Sequence, residues 1–199
     1  MSADRDYDND ICGDPFQDLF FSPNHPDAPE WQQQIDEILG TSEPVPDLII
    51  TVGLPGAGKT TWAKGTGHTR VNRDELRDLL HGVRDYTPEH EQQVTIAQEA
   101  AVAGLLRAGI TVVADDTNLH EDYLARWEAL AAECGARLVI VDHFLAVPAA
   151  ECIHGQADRP ARERVSAEAI TSMAARIPDV ARAITAMRAA TTPQNGGTQ

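Results

Sequence analysis

The sequence predicts an α/β fold, a parallel sheet flanked by helices on both faces, and three observations carry that expectation. From Pro46 onward, short apolar runs rich in β-branched residues alternate with stretches of helical periodicity. The first run, Leu48–Val52, leads into a glycine-rich loop and then a helix. Each later cluster of chemically capable residues follows a predicted strand, where ligands bind in open parallel sheets.

In chain order, the first strand is Leu48–Val52, and Thr60 to Lys64 opens the helix after it. A short strand is expected over Thr69–Asn72 and a helix over Glu75–His81. Pro88 to Arg107 reads as a longer helix with Pro88 in its first turn. Its apolar face is drawn from Val94, Ile96, Ala97, Ala100, Ala101, Leu105 and Leu106, and Gly109 stops it. The run Ile110–Ala114 is unbroken in apolar character, as a central parallel strand should be. A helix over His120–Cys134, closed by Gly135, precedes a fourth strand, Ala136–His143. Helices over Pro148–Gln156 and Ser166–Arg188 complete the domain, and residues 191–199 read as a disordered, low-complexity tail.

Residues 1–46 differ from the rest. They hold eleven acidic groups against Arg5 alone, so ten of the fifteen net negative charges lie there and only five on the remaining chain. Prolines interrupt this arm, except over Glu30–Leu39, where Trp31, Ile35, Ile38 and Leu39 mark one helical face. An acidic, loosely ordered arm is the expectation, with docking or autoinhibition as the alternative. Without a broad basic face, any nucleic acid has to be gripped locally, at an end. Cys12, Cys134 and Cys152 form an odd, widely spaced set that suits reduced thiols in a cytoplasmic protein. No apolar run approaches a membrane span, and no membrane association is expected.

The loop Gly53-Leu54-Pro55-Gly56-Ala57-Gly58-Lys59-Thr60 fits G-x-x-x-x-G-K-[ST] at every fixed position. Between a buried strand and a helix, such a loop wraps phosphate in backbone N–H groups at a helix N-terminus. The fold is therefore read as P-loop NTPase-type. Gly53, Pro55, Gly56, Ala57, Gly58, Lys59, Thr60 and Thr61 are the candidate ATP-binding residues. Lys59 reaches the β- and γ-phosphates, and the Thr60 hydroxyl holds Mg²⁺. A tight strand-to-helix turn accounts for the glycines but not for Lys-Thr after them.

Three further constellations narrow the chemistry. In Asn72-Arg73-Asp74-Glu75-Leu76-Arg77, Asp74 can accept a hydroxyl proton, and Arg77, three residues on, can enter the same site. The plain alternative makes Asp74 a helix N-cap and leaves Arg77 exposed. In Asp115-Asp116-Thr117-Asn118, an acid beside the P-loop strand can serve a metal through water or orient an arginine; the alternative is a cap for the next helix. Arg159, Arg162 and Arg164 are the densest basic patch and suit a lid that neutralises a phosphoryl group in transfer, or a solvated face near Glu163 and Glu168.

Taken in order, G-L-P-G-A-G-K-T-T-W-A, V-N-R-D-E-L-R, A-D-D-T-N-L and W-E-A-L-A-A-E-C-G closely resemble the polynucleotide 5′-hydroxyl kinase family, in the kinase-domain form found in bacteriophage. The resemblance runs from about Leu48 to Met173. It implies a kinase domain over residues 47–190 with a helical lid at about 150–166. It implies that Lys59 is catalytic, Asp74 the general base and Arg159 the lid arginine. Arg77, Asp116, Thr117 and Asn118 become acceptor-site residues, and ATP and Mg²⁺ the cofactors. Gly155 stands where the family has an additional lid arginine, and one extra residue is needed to keep register beyond Pro160. That leaves Arg162 or Arg164 as substitutes for Arg159. Relative to that family, the phosphatase domain that often follows such kinases is expected to be lacking and the acidic arm to be an addition.

The leading expectation is ATP-dependent phosphorylation of 5′-OH ends of DNA or RNA in end repair, with a ligase or phosphatase as partner and a cytoplasmic location, that of the host for a phage protein. A second reading is transfer to another hydroxyl, on a modified base, a nucleotide sugar or a small metabolite. A third is a nucleotide-binding switch without catalysis. Choice of DNA or RNA and oligomeric state are not legible.

Overall fold

A computed structural model describes residues 44–82, 86–157 and 159–191. The chain divides into units Met1–Glu43 and Pro44–Gln199, and every described element belongs to the second. The helix expected over Glu30–Leu39, Cys12 and residues 192–199 lie outside the described residues.

Four strands, β1 (Asp47–Thr51), β2 (Thr69–Val71), β3 (Val112–Ala114) and β4 (Arg137–Val141), form one parallel sheet in the order β2-β3-β1-β4. Leu48 pairs with Val112 on one side of β1 and with Leu138 on the other. β1 is therefore central, and the chain winds away from it in both directions. The crevice that such a reversal leaves beyond the strand ends is where a ligand fits.

Strand alternation divides the core between two faces. Leu48, Ile50, Val112 and Ala114 pack under helices α3 (Pro88–Arg107), α4 (Glu121–Glu133), α6 (Ala167–Ala174) and α7 (Ile177–Thr191), against side chains such as Leu106, Leu124, Ile170 and Ile184. Ile49 and Val113 turn to the other face, where Ala63 and Trp62 of α1 (Lys59–Gly65) cover them. Helix α2 (Arg73–His81) and the short α5 (Ala149–His154) stand at the carboxyl end of the sheet, beside the P-loop.

Three expectations are corrected. The helix expected over Ser166–Arg188 is two helices, α6 and α7. Pro178 lacks an N–H and its ring would collide with the Ala174 carbonyl, so the helix ends there and restarts with Pro178 in a first turn. On α3 the buried face is Val94, Gln98, Val102, Ala103 and Leu106, while Ile96 is 59% exposed. A glutamine holds a core position because its amide serves the site. The helix also continues through Thr191, where a disordered tail was expected.

Candidate active site

Local chemistry at the end of β1 shapes the P-loop. Val52 N–H donates to Val141 O (2.9 Å) and Gly53 N–H to Thr117 O (3.0 Å), which stitches the loop to the ends of both neighbouring strands. A Cβ on Gly53 would lie 2.6 Å from Phe144 Cβ, so only glycine fits under the loop. Gly56 and Gly58 have φ of 93° and 92°, a left-handed backbone that turns successive N–H groups inward. Gly58 is the N-cap of α1 and has no side chain to satisfy the helix's first amides, which leaves them to an anion. Lys59, 7% exposed, donates from Nζ to Gly53 O (2.8 Å) and Leu54 O (2.7 Å). Burial lowers its pKa to about 8, partly offset by the Asp115 and Asp116 carboxylates, so it is a cation at neutral pH.

The opposite half of the site begins at Asn72. Its side chain caps α2 by accepting from Asp74 N–H (3.0 Å) and Glu75 N–H (3.1 Å), and its Nδ2 donates to Asp115 O. The cap is thus Asn72 and not Asp74, whose carboxylate is released toward Arg77 and bonded by its Nη1. Arg77 is 6% exposed rather than solvated. Its other edge meets Glu91 of α3, Nε to Oε1 at 2.5 Å and Nη2 to Oε2 at 2.8 Å, and the Tyr86 ring lies 4.9 Å from its guanidinium carbon. The bond from Arg77, reinforced by Arg73, holds the Glu91 carboxyl down at about 2.

Asp115 and Asp116 take different parts, and neither caps α4, whose N-cap is His120. Asp115 is 1% exposed; Oδ2 accepts from Arg70 Nη1 (3.1 Å), whereas Oδ1 is buried with no hydrogen-bond partner among the described residues. Asp116 accepts from Arg73 N–H (3.2 Å) and from Gln98 Nε2. Burial nevertheless raises its carboxyl to about 6, with the Gln98 bond opposing. Asn118 spends both ends of its amide inside the protein, donating to Thr51 O (2.9 Å) and accepting from Trp127 Nε1 (2.9 Å). Its φ of 47° makes it the one described non-glycine residue in the left-handed region. It frames the site and offers little to a substrate.

The lid comprises α5, a turn and a 3₁₀ segment, Ala161–Glu163. The Arg162 side chain is 80% exposed beside Glu163, and Arg164 donates to two lid carbonyls. Arg159, by contrast, has its charge close enough to Lys59 to oppose that residue's protonation. A cleft of about 380 Å³ brings Lys59, Thr60 and Thr61 together with Asp74, Arg77, Asp116, Thr117, Asn118 and the three lid arginines. Gly53 and Ala57, buried residues of the P-loop, do not line it. Residues that sequence reasoning missed are Arg73, Glu91, Gln98 and Gln156; of these only Gln98, polar at a core spacing on α3, carried a readable signal.

A family model described as AAA domain matches residues 48–180 of the 199. The chain belongs to that family. This AAA domain is also 31% identical over 99 residues to a protein of Autographa californica nuclear polyhedrosis virus named as a bifunctional polynucleotide kinase/RNA ligase, covering 43% of this chain and 14% of that protein. Among solved structures, a chain of the Pnkp1/Rnl/Hen1 RNA repair complex superposes with a TM-score of 0.62 at 26% identity, covering 69% of this chain and 46% of that one. Another structure of the Pnkp1/Rnl/Hen1 complex gives 0.50 at 30% identity, covering 55% and 38%. This AAA domain therefore spans less than half the length of each relative. Its P-loop kinase fold is a nucleotide-binding one. Among the described residues, no helix is long and apolar enough to cross a membrane.

Proposed function

We propose that this AAA domain is an ATP-dependent polynucleotide 5′-hydroxyl kinase acting in nucleic-acid end repair. The observation that carries the reading is the Asp74 carboxylate. It does not cap α2, is bonded to buried Arg77, and shares one cleft with the P-loop lysine and a lid arginine. The likeness to a polynucleotide kinase/RNA ligase and to a chain of an RNA repair complex supports a 5′-end acceptor.

In this reading the P-loop amides and Lys59 bind the triphosphate. Asp74 accepts the proton of the acceptor hydroxyl as its oxygen bonds to the γ-phosphorus. The bond from that phosphorus to the β–γ bridging oxygen breaks in line, and ADP leaves. Arg159 meets the charge spread over the transferring oxygens. Arg77 has three N–H groups committed to Glu91 and Asp74, and its remaining two position the phosphate next to the acceptor hydroxyl. The residues present fit a magnesium ion: the Thr60 hydroxyl follows the P-loop lysine, and the buried Asp115 Oδ1, without a hydrogen-bond partner among the described residues, follows the strand paired with β1 and lines the same cleft. When bound, that ion neutralises phosphate charge. An RNA ligase acting on the phosphorylated end is the partner this chemistry calls for.

A second reading, transfer to a small hydroxyl acceptor, is favoured by one observation. The acceptor-side arginines are paired with acids, Arg73 and Arg77 with Glu91 and Arg126 with Glu99. One assay separates the readings. Label from γ-labelled ATP should appear on a short 5′-OH oligonucleotide and not on the same strand already 5′-phosphorylated. Label on neither, with ATP still bound, rejects the polynucleotide reading. A steep loss of acceptor affinity with salt further marks a polyanion.

A further inference from the structure

Three arginines crowd the lid, and the structure gives them unequal work. Arg164 turns back along its own loop. Its Nε donates to Arg159 O and its Nη2 to Ala157 O, both at 2.8 Å. The loop's stem is fastened by Gln156, 5% exposed, whose Oε1 accepts from Val165 N–H (3.2 Å) and whose Nε2 donates to Cys152 O (3.4 Å). That stem rests against the P-loop: a Cβ on Gly56 would stand 2.7 Å from Gln156 Nε2 and 2.6 Å from Cys152 O. Residue 159 is thereby held on both sides, its N–H donating to Gln156 O (3.1 Å) and its carbonyl accepting from Arg164. Meanwhile the Arg159 guanidinium makes no hydrogen bond or ion pair within the described residues and lines the cleft.

We infer that Arg164 is a positioning residue that fixes the backbone of Arg159 over the phosphate site, while Gln156 registers the whole loop to the P-loop. The inference rests on the role assigned to Arg159 above. Its physical basis is the guanidinium fork. Two carbonyls two residues apart are satisfied at once by donors in a rigid plane, which a lysine ammonium on a flexible stem does not reproduce. A side chain that acts through Arg159 contributes nothing once Arg159 is gone. One that touches ATP itself contributes in either background.

A double-mutant cycle decides between them. Arg164→Ala should lower kcat about tenfold with ATP affinity nearly unchanged, yet change the residual rate of Arg159→Ala by less than about twofold. Arg164→Lys should stay close to Arg164→Ala. An equal loss in both backgrounds, no loss in either, or full recovery with lysine overturns the inference. Transfer to the 5′-OH oligonucleotide and release of ADP are followed together. ADP release without labelled oligonucleotide rejects the acceptor, and the cycle is then read on ADP release. A further measurement needs no turnover: trypsin should cut after the exposed Arg162 faster in Arg164→Ala than in the parent chain. Equal rates of cutting also overturn it.

Discussion

Glu91 holds Arg77 in a two-point grip, Nε–Oε1 at 2.5 Å and Nη2–Oε2 at 2.8 Å, from a helix fourteen residues further along the chain. The same carboxylate reaches Arg73 Nη2 at 2.9 Å, so one acid sets two arginines of α2. Glu91→Gln keeps the shape but removes one of the two carboxylates that balance the buried Arg77, leaving Asp74. It should destabilise the domain by about 2 kcal/mol and lower kcat/KM for the acceptor about tenfold or more, with ATP affinity little changed. Because the folded Glu91 carboxyl titrates near 2, below its ordinary 4.5, its stabilisation is complete above about 4.5 and fades as pH falls toward 2. Chemical denaturation of parent and variant at pH 7 and pH 3 measures both effects; a gap that does not shrink at pH 3 contradicts the grip.

Asp116 has the opposite sign. Burial raises its carboxyl from 3.8 to about 6, so between those values the folded state holds the proton more tightly than the unfolded one. Folding stability from this group therefore falls as pH rises through that window and is level above it. Relative to Asp116→Asn, the parent protein should gain about 2 kcal/mol on going from pH 7 to pH 4. Denaturant midpoints of the two proteins at both pH values test this. A constant difference would place the charge elsewhere.

Asp74 and Lys59 should separate chemistry from binding. Asp74→Asn retains the size and one acceptor oxygen for Arg77 but removes the proton acceptor. Turnover should fall at least about a hundredfold, with the ATP dissociation constant within about threefold of the parent. Lys59→Ala should weaken ATP and abolish transfer, because its ammonium both serves phosphate and holds the loop through Gly53 O and Leu54 O. Titration calorimetry beside the transfer assay distinguishes the two variants. Unchanged turnover in Asp74→Asn removes it as the base.

How much of this was legible in the sequence depended on how local the determining physics was. The strands were readable because buried parallel strands are continuous in apolar character, as Leu48–Val52 is. The P-loop was readable because its spacing is its mechanism. Asp74 is ambiguous in the sequence because Asn72, two residues before it, is equally competent to take the cap, a choice that spacing does not make. The Arg73–Glu91–Gln98–Asp116 network was not legible, since it joins elements through space; Glu91, one of three glutamates on α3, looks like any solvated acid. Gln98 did carry a signal, a polar residue four from Val94 and four from Val102 on the buried face. The break between α6 and α7 was legible in Pro178 but was overridden by an apolar periodicity that runs across it.

Gly56 gives a test of how tightly loop and lid are joined. Its φ of 93° strains any side chain, and a Cβ would press within 2.6 Å of Cys152 O and 2.7 Å of Gln156 Nε2. Gly135 has a φ of 64° with nothing within 4 Å of its Cβ position, and it closes α4 away from the cleft. Both alanine variants incur the backbone penalty of about 1–2 kcal/mol. Gly56→Ala adds a collision that is relieved only by moving the loop off the lid stem. It should therefore lose ATP affinity by about tenfold or more, against no more than about twofold for Gly135→Ala at a similar shift in melting temperature. Equal ATP affinity in the two variants would mean that the P-loop binds triphosphate independently of its contact with Gln156, and the coupling between donor site and lid would have to run through Arg159 and Lys59 instead.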